Sequence, residues 1–441
     1  MRSQTFHDDS AQPEGRQVDV PVRSDAFGNA IDESVSYARG SILGSAADDV
    51  RRMLRGRRLI RERAQDVGID RLYNLTGVTR MFPISEDDRR KLETQISFYA
   101  HFSGVAEGVG LAYAGGDAEK HGACFANQVT SGMLGTILTL APAGSRVVSV
   151  VPEGHSHPCI RSAARIAGAR HVEVSGLDAG LEELAREHAD VVAITTITPQ
   201  KFIFAEESIR RLISAANEAD SYVVIDDAHG ALRMGCYGQA PVLQLGPVDV
   251  AMNSTDKHLL GPRTALLVGD RSVIARVRDT LFELGLPAQF AQYVAAMRAL
   301  AGYDASAVKA ARELAEELYA VVAQKLESSA IYFAGTGIAL SEEELTRVVM
   351  RRAGCDTAPL VPMEMSALVS LRMLETTGLM TILVIGMPGA SPTLRLMMFP
   401  DGERVGVDAV ASALDEAVSF AAAHCADLDF CREYLVGQRE G

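Results

Sequence analysis

The sequence predicts an α/β fold in which a large domain with a mainly parallel sheet precedes a smaller α+β domain. Between residues 120 and 270, apolar runs alternate with segments of helical periodicity. Nearly continuous apolar strands separated by helices indicate a parallel sheet that is covered on both faces. The chain has 441 residues, of which 47% are hydrophobic, so it can bury two cores. Sheets of this kind bind ligands at the carboxyl ends of their strands.

Apolar runs and helical spacing place the individual elements. The expected strands of the large domain are residues 146–151, 171–174, 191–194, 222–225, 248–252 and 265–268. Helices are expected at 158–167, where Gly168 ends the segment, and where Ile209, Leu212, Ile213 and Ala216 share one face. The smaller domain should contain a helix at 305–328, strands at 346–350, 380–385 and 394–399, and a final helix at 407–422. The chain then divides into an N-terminal arm and helix (1–70), a large domain (71–304) and a small domain (305–441).

The N-terminal region differs in composition from the rest of the chain. Residues 1 to about 40 are polar and mixed, which predicts a loose arm or one that is ordered only against a partner subunit. Ser45 can cap the helix that follows, which carries seven arginines between Arg51 and Arg63. This helix could bind RNA or clamp a subunit, but Glu62 and Asp66 interrupt the charge and favour an ordinary solvated face.

Charge, cysteine usage and hydropathy argue against several classes of function. A net charge of −14 disfavours broad nucleic-acid binding, which needs a basic surface. The six cysteines form no CxxC pair and no cluster with zinc spacing, so we expect free thiols in a reducing cytoplasm and no metal site. The mean hydropathy is +0.07. Because no uninterrupted apolar run reaches about eighteen residues, no transmembrane helix is expected.

One lysine stands in a loop between two apolar runs. Lys257 lies within Asn253-Ser254-Thr255-Asp256-Lys257-His258-Leu259-Leu260-Gly261-Pro262-Arg263, after the run 248–252 and before the run 264–268. A partly desolvated lysine loses its proton easily and becomes a nucleophile toward a carbonyl. The hydroxyl groups of Ser254 and Thr255 can donate to a phosphate. Taken alone, this loop fits a reactive lysine and an exposed turn equally well.

Three stretches upstream favour a reactive lysine. Asp226 and Asp227 end an apolar run, with His229 next along. A carboxylate there suits a ring nitrogen that must stay protonated, as in pyridoxal 5'-phosphate (PLP). A candidate anion site at a helix N-terminus consists of Thr130, Ser131, Gly132 and Met133. Between these stretches, His155 and His157 offer flat rings that could stack on a cofactor.

The order of Ser-Gly turn, histidine, Asp-x-x-His motif and lysine resembles that of the fold type I PLP-dependent enzymes. Asp226 to Gly230, together with Ser254-Thr255-x-Lys257, resembles the ornithine, lysine and arginine decarboxylases. Lys257 followed by Gly261-Pro262-Arg263 resembles serine hydroxymethyltransferase, and Asp256-Lys257 before Leu259-Leu260-Gly261-Pro262 resembles the bacterial selenocysteine synthase group. The resemblance spans about residues 71 to 420. It implies the fold type I PLP-dependent transferase fold, with PLP as cofactor.

The resemblance also implies roles for the residues around the cofactor ring. Lys257 forms the imine with PLP and moves the proton at Cα of the substrate. Asp226 pairs with the pyridine nitrogen, and Asp227 is the competing candidate. His229 lies by the phenolic oxygen or beside the lysine.

Further roles follow for residues at the edge of the cofactor. His157 is preferred to His155 as the stacking ring, and Thr198 contacts the O3′ atom. Arg395 interrupts an apolar strand and is implied as the clamp for the substrate α-carboxylate. The implied phosphate contacts are Thr130, Ser131, Gly132, Met133 and Ser254.

The expected function is that of a cytoplasmic PLP-dependent transferase or lyase acting at Cα or Cβ of an α-amino acid. The match from Lys257 to Arg263, together with Arg395, favours aldol, hydroxymethyltransferase or transaldolase chemistry. Aminotransfer, decarboxylation and β-elimination or replacement stay open, as do a tRNA-acting selenocysteine synthase-like enzyme and a non-enzymatic PLP-binding protein. Because fold type I enzymes complete their sites across subunits, a homodimer or a dimer of dimers is expected, with no membrane or nucleic-acid partner.

Overall fold

The computed structural model of the protein describes residues 23–437, except 33, 36, 387, 388 and 390. Much of the expected N-terminal arm, residues 1–22, therefore lies outside the described residues. Ser45 caps the first helix as expected, since its hydroxyl accepts the N–H of Asp48. The elements that precede the large sheet are β1 (Ile31–Asp32), β2 (Tyr37–Ala38), α1 (Ala46–Val67), a 3₁₀ turn (Ile69–Arg71), β3 (Tyr73–Asn74), α2 (Glu86–Lys91), α3 (Gln95–His101) and α4 (Val105–Ala114).

The arginines of α1 do not share one role. Arg52 is fully buried, and its guanidinium donates hydrogen bonds to the carbonyls of Leu383 and Gly386. Exposed arginines of the same helix are Arg51, Arg57, Arg58 and Arg61. Arg63 of the same helix also donates to the C-terminal part, to the carbonyl of Glu375 at 2.8 Å, so two arginines fix the helix there while the exposed arginines form a solvated face.

The central sheet consists of β4 (His121–Ala126), β5 (Arg146–Val151), β6 (Arg170–Ser175), β7 (Val191–Thr195), β8 (Tyr222–Asp226), β9 (Val250–Ser254) and β10 (Ala265–Asp270). The strand order is β4-β10-β9-β8-β7-β5-β6. β10 runs antiparallel to both of its neighbours, and the other pairs are parallel. The carboxyl ends of the strands other than β10 therefore share one edge.

Helices cover both faces of this sheet, as the continuous apolar strands predict. Along β5, Val147 packs into one core while Val148 and Val150 pack into the opposite one. The helices of this region are α5 (Val129–Leu140), α6 (Cys159–Ala167), α7 (Leu177–Arg186), α8 (Glu206–Glu218), α9 (Gly230–Tyr237), α10 (Arg271–Glu283) and α11 (Phe290–Ala301), with a 3₁₀ turn at Val242–Gln244. β4 was not expected from the sequence, because its first half, His121-Gly122, lacks an apolar pattern.

The C-terminal part contains α12 (Ala305–Leu326), β11 (Tyr332–Phe333), β12 (Gly337–Leu340), α13 (Glu342–Ala353), α14 (Pro362–Thr377), β13 (Leu379–Met380), α15 (Ile382–Ile385), β14 (Leu394–Met397), α16 (Gly402–Val405), α17 (Val407–His424) and α18 (Leu428–Val436). β11, β12 and β14 form an antiparallel sheet, and β13 pairs in parallel with β3. Within the described ranges, none of the helices is long and apolar enough to cross a membrane.

Two of the strands expected in this part are wrong. Residues 346–350 lie inside α13, and 380–385 fall mainly in α15. Ser341 caps α13, and Leu345, Val348 and Val349 share a buried face. That spacing is helical, so an apolar run that resembles a strand in sequence instead forms one side of a helix.

Candidate active site

Two adjacent aspartates at the end of β8 have opposite surroundings. The Asp227 carboxylate accepts hydrogen bonds from Nε and Nη2 of Arg233, both at 2.9 Å, and from the Thr196 hydroxyl at 2.7 Å. Both partners of this ion pair are buried. Asp226 is buried as well, but from the described residues it accepts a single hydrogen bond, from the N–H of Ala228 at 3.2 Å. Asp227 is therefore committed to holding α9, and Asp226 remains available to a ligand.

The electrostatic surroundings of the two aspartates lead to the same distinction between an available Asp226 and a paired Asp227. Burial raises the pKa of the Asp226 carboxyl, and the positive charge of Lys257 opposes that rise. A buried carboxyl in this position gains most from a cationic partner. The alternative that Asp227 meets the cofactor is disfavoured, because its oxygens already bind Arg233 and Thr196.

Lys257 follows β9 in a loop whose backbone is held on several sides. The Thr255 hydroxyl donates to the carbonyl of Pro262 at 2.8 Å, and the Thr79 hydroxyl donates to the carbonyl of Leu259 at 2.6 Å. Lys257 itself is half-buried. Among the described residues, its ammonium group has no hydrogen-bond or ion-pair partner. The loop is thus fixed while the amine at its centre is left available.

The phosphate contact expected at Ser254 needs correction. The Ser254 hydroxyl donates its proton to Oδ1 of Asp256 at 2.6 Å, and both side chains are buried. Oδ2 of Asp256 lies 3.9 Å from Nε of Arg80. Since the hydroxyl proton is already used inside the loop, Ser254 serves to hold Asp256 rather than to donate to an anion.

The anion site at the N-terminus of α5 also differs in detail from the expectation. The N–H groups of Ser131 and Gly132 bond to the carbonyl of Gln128, at 3.1 and 3.0 Å. Met133 is fully buried in the core, so its side chain is not a phosphate contact. Thr130 is exposed, and the N–H groups at a helix start have no intrahelical acceptor. Among the described residues, no acceptor is bound by the backbone N–H groups of Val129 and Thr130 or by the hydroxyl groups of Thr130 and Ser131, so these donors are available to an anion.

The two histidines that follow β5, His155 and His157, have different surroundings. Nδ1 of His155 lies 3.0 Å from the Glu173 carboxylate at the outer strand β6. His157 is exposed, in the loop that joins β5 to α6. Desolvation, with the charges of Lys257 and Arg263, lowers the pKa of His157 to about 4. The imidazole nearer Lys257 is thus a neutral ring, as a stacking role requires.

Thr198 closes a turn after β7. Its backbone N–H bonds to the carbonyl of Phe202 at 2.9 Å, and its hydroxyl accepts the N–H of Phe202 at 3.2 Å. The residue of this turn that reaches the site is Lys201, whose Nζ lies 2.8 Å from Nε2 of His229. The Thr198 hydroxyl accepts the hydrogen bond from Phe202 and keeps its own proton available, so the contact expected with O3′ stays a prediction.

Arg395 lies on the face of the small sheet that is turned away from the C-terminal core. Across the sheet it stands in one row with Ala339 and Tyr332. Its Nη1 donates to the carbonyl of Pro199 at 2.9 Å, while its buried Nε has no partner among the described residues. Burial lowers the pKa of the guanidinium. Arg395 thus joins the small sheet to the turn after β7, and its buried Nε donor stays unused among the described residues.

Sequence reasoning missed two basic residues in this region. Lys201 stands in a left-handed conformation with φ 78°, and nothing in its sequence surroundings marks it. His258 follows Lys257 directly, and its Nε2 lies 2.7 Å from the Thr336 hydroxyl. Burial, with the charges of Lys201 and Lys257, lowers the pKa of His258 to about 3. The sequence feature that could have indicated His258 as a site residue is its position directly after Lys257.

The residues at this edge fit PLP. Asp226 provides a buried carboxylate with a single backbone hydrogen bond for a protonated ring nitrogen. Lys257 provides an amine without a side-chain partner in the described part of the chain. The start of α5 provides N–H groups for a phosphate, and His157 a neutral ring. When bound, PLP supplies an electron sink for bond cleavage at Cα.

Fold and site together define a PLP-dependent enzyme of fold type I, the aminotransferase superfamily. A solved structure with this fold is histidinol-phosphate aminotransferase from Sinorhizobium meliloti in complex with PLP. It superposes with a TM-score of 0.57 and 16% sequence identity over 82% of this chain and 94% of that one. At this identity the likeness concerns the fold alone.

The chain belongs to the UPF0425 family of pyridoxal phosphate-dependent proteins. The family model for the UPF0425 C-terminal domain matches residues 327–406. A UPF0425 pyridoxal phosphate-dependent protein from Methanococcus maripaludis is 30% identical over 369 residues, which cover 83% of this chain and 97% of the relative. An 8-amino-7-oxononanoate synthase from a Methylobacterium species is 27% identical over 288 residues, 64% of this chain and 67% of that enzyme.

Proposed function

We propose that this PLP-dependent enzyme makes or breaks a carbon–carbon bond at Cα or Cβ of an α-amino acid, in chemistry of the aldol, hydroxymethyltransferase or transaldolase type. The observation that carries the amino-acid substrate is Arg395. Its buried Nε has no partner among the described residues, and its only hydrogen bond goes to a backbone carbonyl. A permanently charged guanidinium in such a place is costly unless it meets an anion.

A substrate carboxylate fits the missing partner of Arg395. Guanidinium groups bind carboxylates through two parallel hydrogen bonds. In sequence, no acidic residue lies within five positions of Arg395, the nearest being Asp401. Asp401 itself lies 3.1 Å from Arg404 and accepts the N–H of Asn74. In the described part of the chain no carboxylate forms an ion pair with this guanidinium, and the α-carboxylate of an amino acid would supply one.

The residues around the cofactor divide the remaining tasks. The Asp226 carboxylate would accept the hydrogen bond of the ring nitrogen and keep that nitrogen protonated. The amine of Lys257 would hold the cofactor and would accept or return the proton at Cα. His157 would lie against one face of the ring. Arg395 would fix the carboxylate and so help to decide which bond at Cα is broken.

The preference for carbon–carbon chemistry is supported by two resemblances. Lys257 with Gly261-Pro262-Arg263 resembles serine hydroxymethyltransferase. A partial match to proteins named 8-amino-7-oxononanoate synthase extends over 64% of the chain. Aminotransfer is the second candidate, since it needs the same residues.

The products decide between these reactions. The PLP-loaded enzyme is incubated with each of the common amino acids and with β-hydroxy amino acids, and the products are identified by NMR. Carbon–carbon chemistry predicts an aldehyde and a shortened amino acid, and its reversal in the presence of added aldehyde. Formation of 2-oxo acids alone would replace the proposal with aminotransfer, and amine or ammonia release would indicate decarboxylation or elimination.

We also propose that the enzyme is a homodimer or a dimer of dimers. Two exposed apolar patches support this. Leu260 and Met81 are both exposed and adjoin through the hydrogen bond from the Met81 N–H to Gly261, while Tyr99 and Phe290 lie with ring centroids 5.8 Å apart. The first patch adjoins the Lys257 loop, where a partner subunit would complete the site. Sedimentation that shows an active, PLP-loaded monomer at micromolar concentration would exclude this assembly.

A further inference from the structure

A second lysine, Lys201, is buried at the same edge of the sheet as the Lys257 loop. The side chain of Lys201 is 8% exposed, and its Nζ contacts Nε2 of His229 at 2.8 Å. The backbone at Lys201 is held in the left-handed region by the turn from Thr198 to Phe202. A lysine rarely adopts this conformation or this degree of burial, so the turn specifically directs an amine into the protein.

Other cationic or basic groups surround this amine. Arg395 binds the same turn through the carbonyl of Pro199. His229 and His258 lie with ring centroids 6.2 Å apart, and Nδ1 of His258 is buried without a partner among the described residues. Across the described ranges, no carboxylate lies at ion-pair distance from Lys201 or Arg395. The cluster of Lys201, Arg395, His229 and His258 is therefore rich in donors and lacks an anion.

The cofactor phosphate does not supply this anion. The start of α5 follows β4, whereas Lys201 follows β7, and β10, β9 and β8 lie between those two strands. At about 4.8 Å per strand, the two loops begin about 19 Å apart. A phosphate bound at the start of α5 is therefore out of reach of Lys201.

We propose that Lys201 binds a second anionic group, at the end of the substrate side chain, while Arg395 binds the α-carboxylate. The substrate is then an acidic amino acid, with a carboxylate, sulfonate or phosphate on its side chain. This inference rests on the proposed function, because it takes Arg395 as the α-carboxylate contact. Two cations joined to one turn match two anions on one short molecule.

Binding of an anionic group beside Lys201 should change the number of protons that the protein carries. Burial, with the charges of Arg395 and Lys257, lowers the pKa of Lys201 well below its usual range. An anion beside the amine favours its charged form, so binding raises the pKa of Lys201 and favours proton uptake. The groups that face Lys201 are His229, His258, Lys257 and Arg395; His229, whose pKa is also lowered, is the other group that could take this proton.

Calorimetry with small acids tests this site without turnover. The probes are propionate, succinate and 3-phosphonopropionate, which have no amine and do not react with the cofactor. We expect the PLP-loaded enzyme to bind succinate or 3-phosphonopropionate about tenfold or more tighter than propionate, the range of a charge-assisted hydrogen bond. Which diacid binds tighter distinguishes a carboxylate from a phosphate side chain. Equal binding of all three probes would overturn the proposal.

Substitutions of Lys201 test whether this side chain causes the preference for diacids over propionate. Lys201→Met should bring diacid affinity down to that of propionate and leave propionate affinity unchanged, and Lys201→Arg should restore part of the preference. The matched control is Lys309→Met, which removes an exposed lysine of α12. An unchanged diacid preference in Lys201→Met, or an equal loss for all probes, would overturn the proposal. Loss of propionate binding in Arg395→Lys tests the proposed function separately.

The wild-type enzyme gives an independent measurement if Lys201→Met does not fold. Titrations in two buffers of different ionisation enthalpy report the protons exchanged on binding. We expect greater proton uptake with the preferred diacid than with propionate. The same uptake with propionate, or none with either diacid, would contradict a second anion site at Lys201.

Discussion

The two lysine-bearing loops at the carboxyl edge of the sheet differ in almost every respect. The Lys257 loop, after β9, is held by hydroxyl-to-carbonyl hydrogen bonds and leaves a half-buried amine without a side-chain partner in the described residues. The Lys201 turn, after β7, buries its amine against His229. An amine that must form and break a covalent bond needs freedom, whereas one that binds a charge needs a fixed position. This difference supports the proposal that Lys257 carries the chemistry and Lys201 the recognition of substrate.

The largest expected effect comes from removing the reactive amine. Lys257→Ala should lower kcat by about 10³-fold or more, because both the cofactor attachment and the proton transfer at Cα are lost. Lys201→Met should mainly raise KM for the substrate. Steady-state kinetics and the absorbance of bound PLP measure both. A Lys201→Met variant that loses kcat as completely as Lys257→Ala would remove the distinction between the loops.

The two adjacent aspartates allow a second comparison. The charge of Lys257 acts on Asp226, whereas Asp227 binds Arg233 in the helix that starts after His229. Asp226→Asn should lower kcat by about 10²-fold or more and leave thermal stability close to wild type. Asp227→Asn should lower the free energy of unfolding by about 3–5 kcal/mol, because Arg233 is left buried and unpaired. Denaturant titration and activity assays separate these outcomes. The reverse pattern would place the cofactor contact at Asp227.

Arg395 connects the Lys201 turn to the small sheet and should affect substrate binding alone. Arg395→Ala should raise KM for an amino acid by about 30- to 100-fold, as expected from a lost charge-assisted hydrogen bond, while PLP occupancy stays intact. An amine without a carboxylate serves as the control ligand. Equal weakening of both ligands, or loss of PLP, would make Arg395 a structural residue.

The effect that is smallest at neutral pH concerns His258, which is adjacent to Lys257 and close to His229. In the unfolded chain its imidazole takes up a proton below its ordinary pKa of 6.5, whereas in the folded protein the pKa is about 3. The unfolded state therefore binds more protons between these values, and stability falls as pH falls through that window. His258→Asn, which keeps tolerance of the left-handed backbone, should reduce this slope by up to about 1.4 kcal/mol per pH unit. Parallel slopes in the two proteins would show that His258 does not titrate in this way.

Local sequence predicted the groups that stand at strand ends in recognisable patterns. Asp226 and Lys257 follow apolar runs, so their loops could be placed at the carboxyl edge before the fold was known. The choice between Asp226 and Asp227 depended on Arg233, six residues further on, which no pattern marks. Lys201 was missed because its burial arises from a turn that packs against Arg395, far along the chain. Ser254 and Met133 were assigned to the phosphate because sequence does not show that a hydroxyl is already bonded or a side chain already buried.

The central claim is that Lys257, and not Lys201, carries the cofactor. Borohydride reduction of the PLP-loaded enzyme, followed by proteolysis and mass spectrometry of the peptides, identifies the lysine that is linked to PLP. The account predicts a single reduced PLP label on Lys257, present in wild type and in Lys201→Met. A label on Lys201, or on any other lysine, would contradict it.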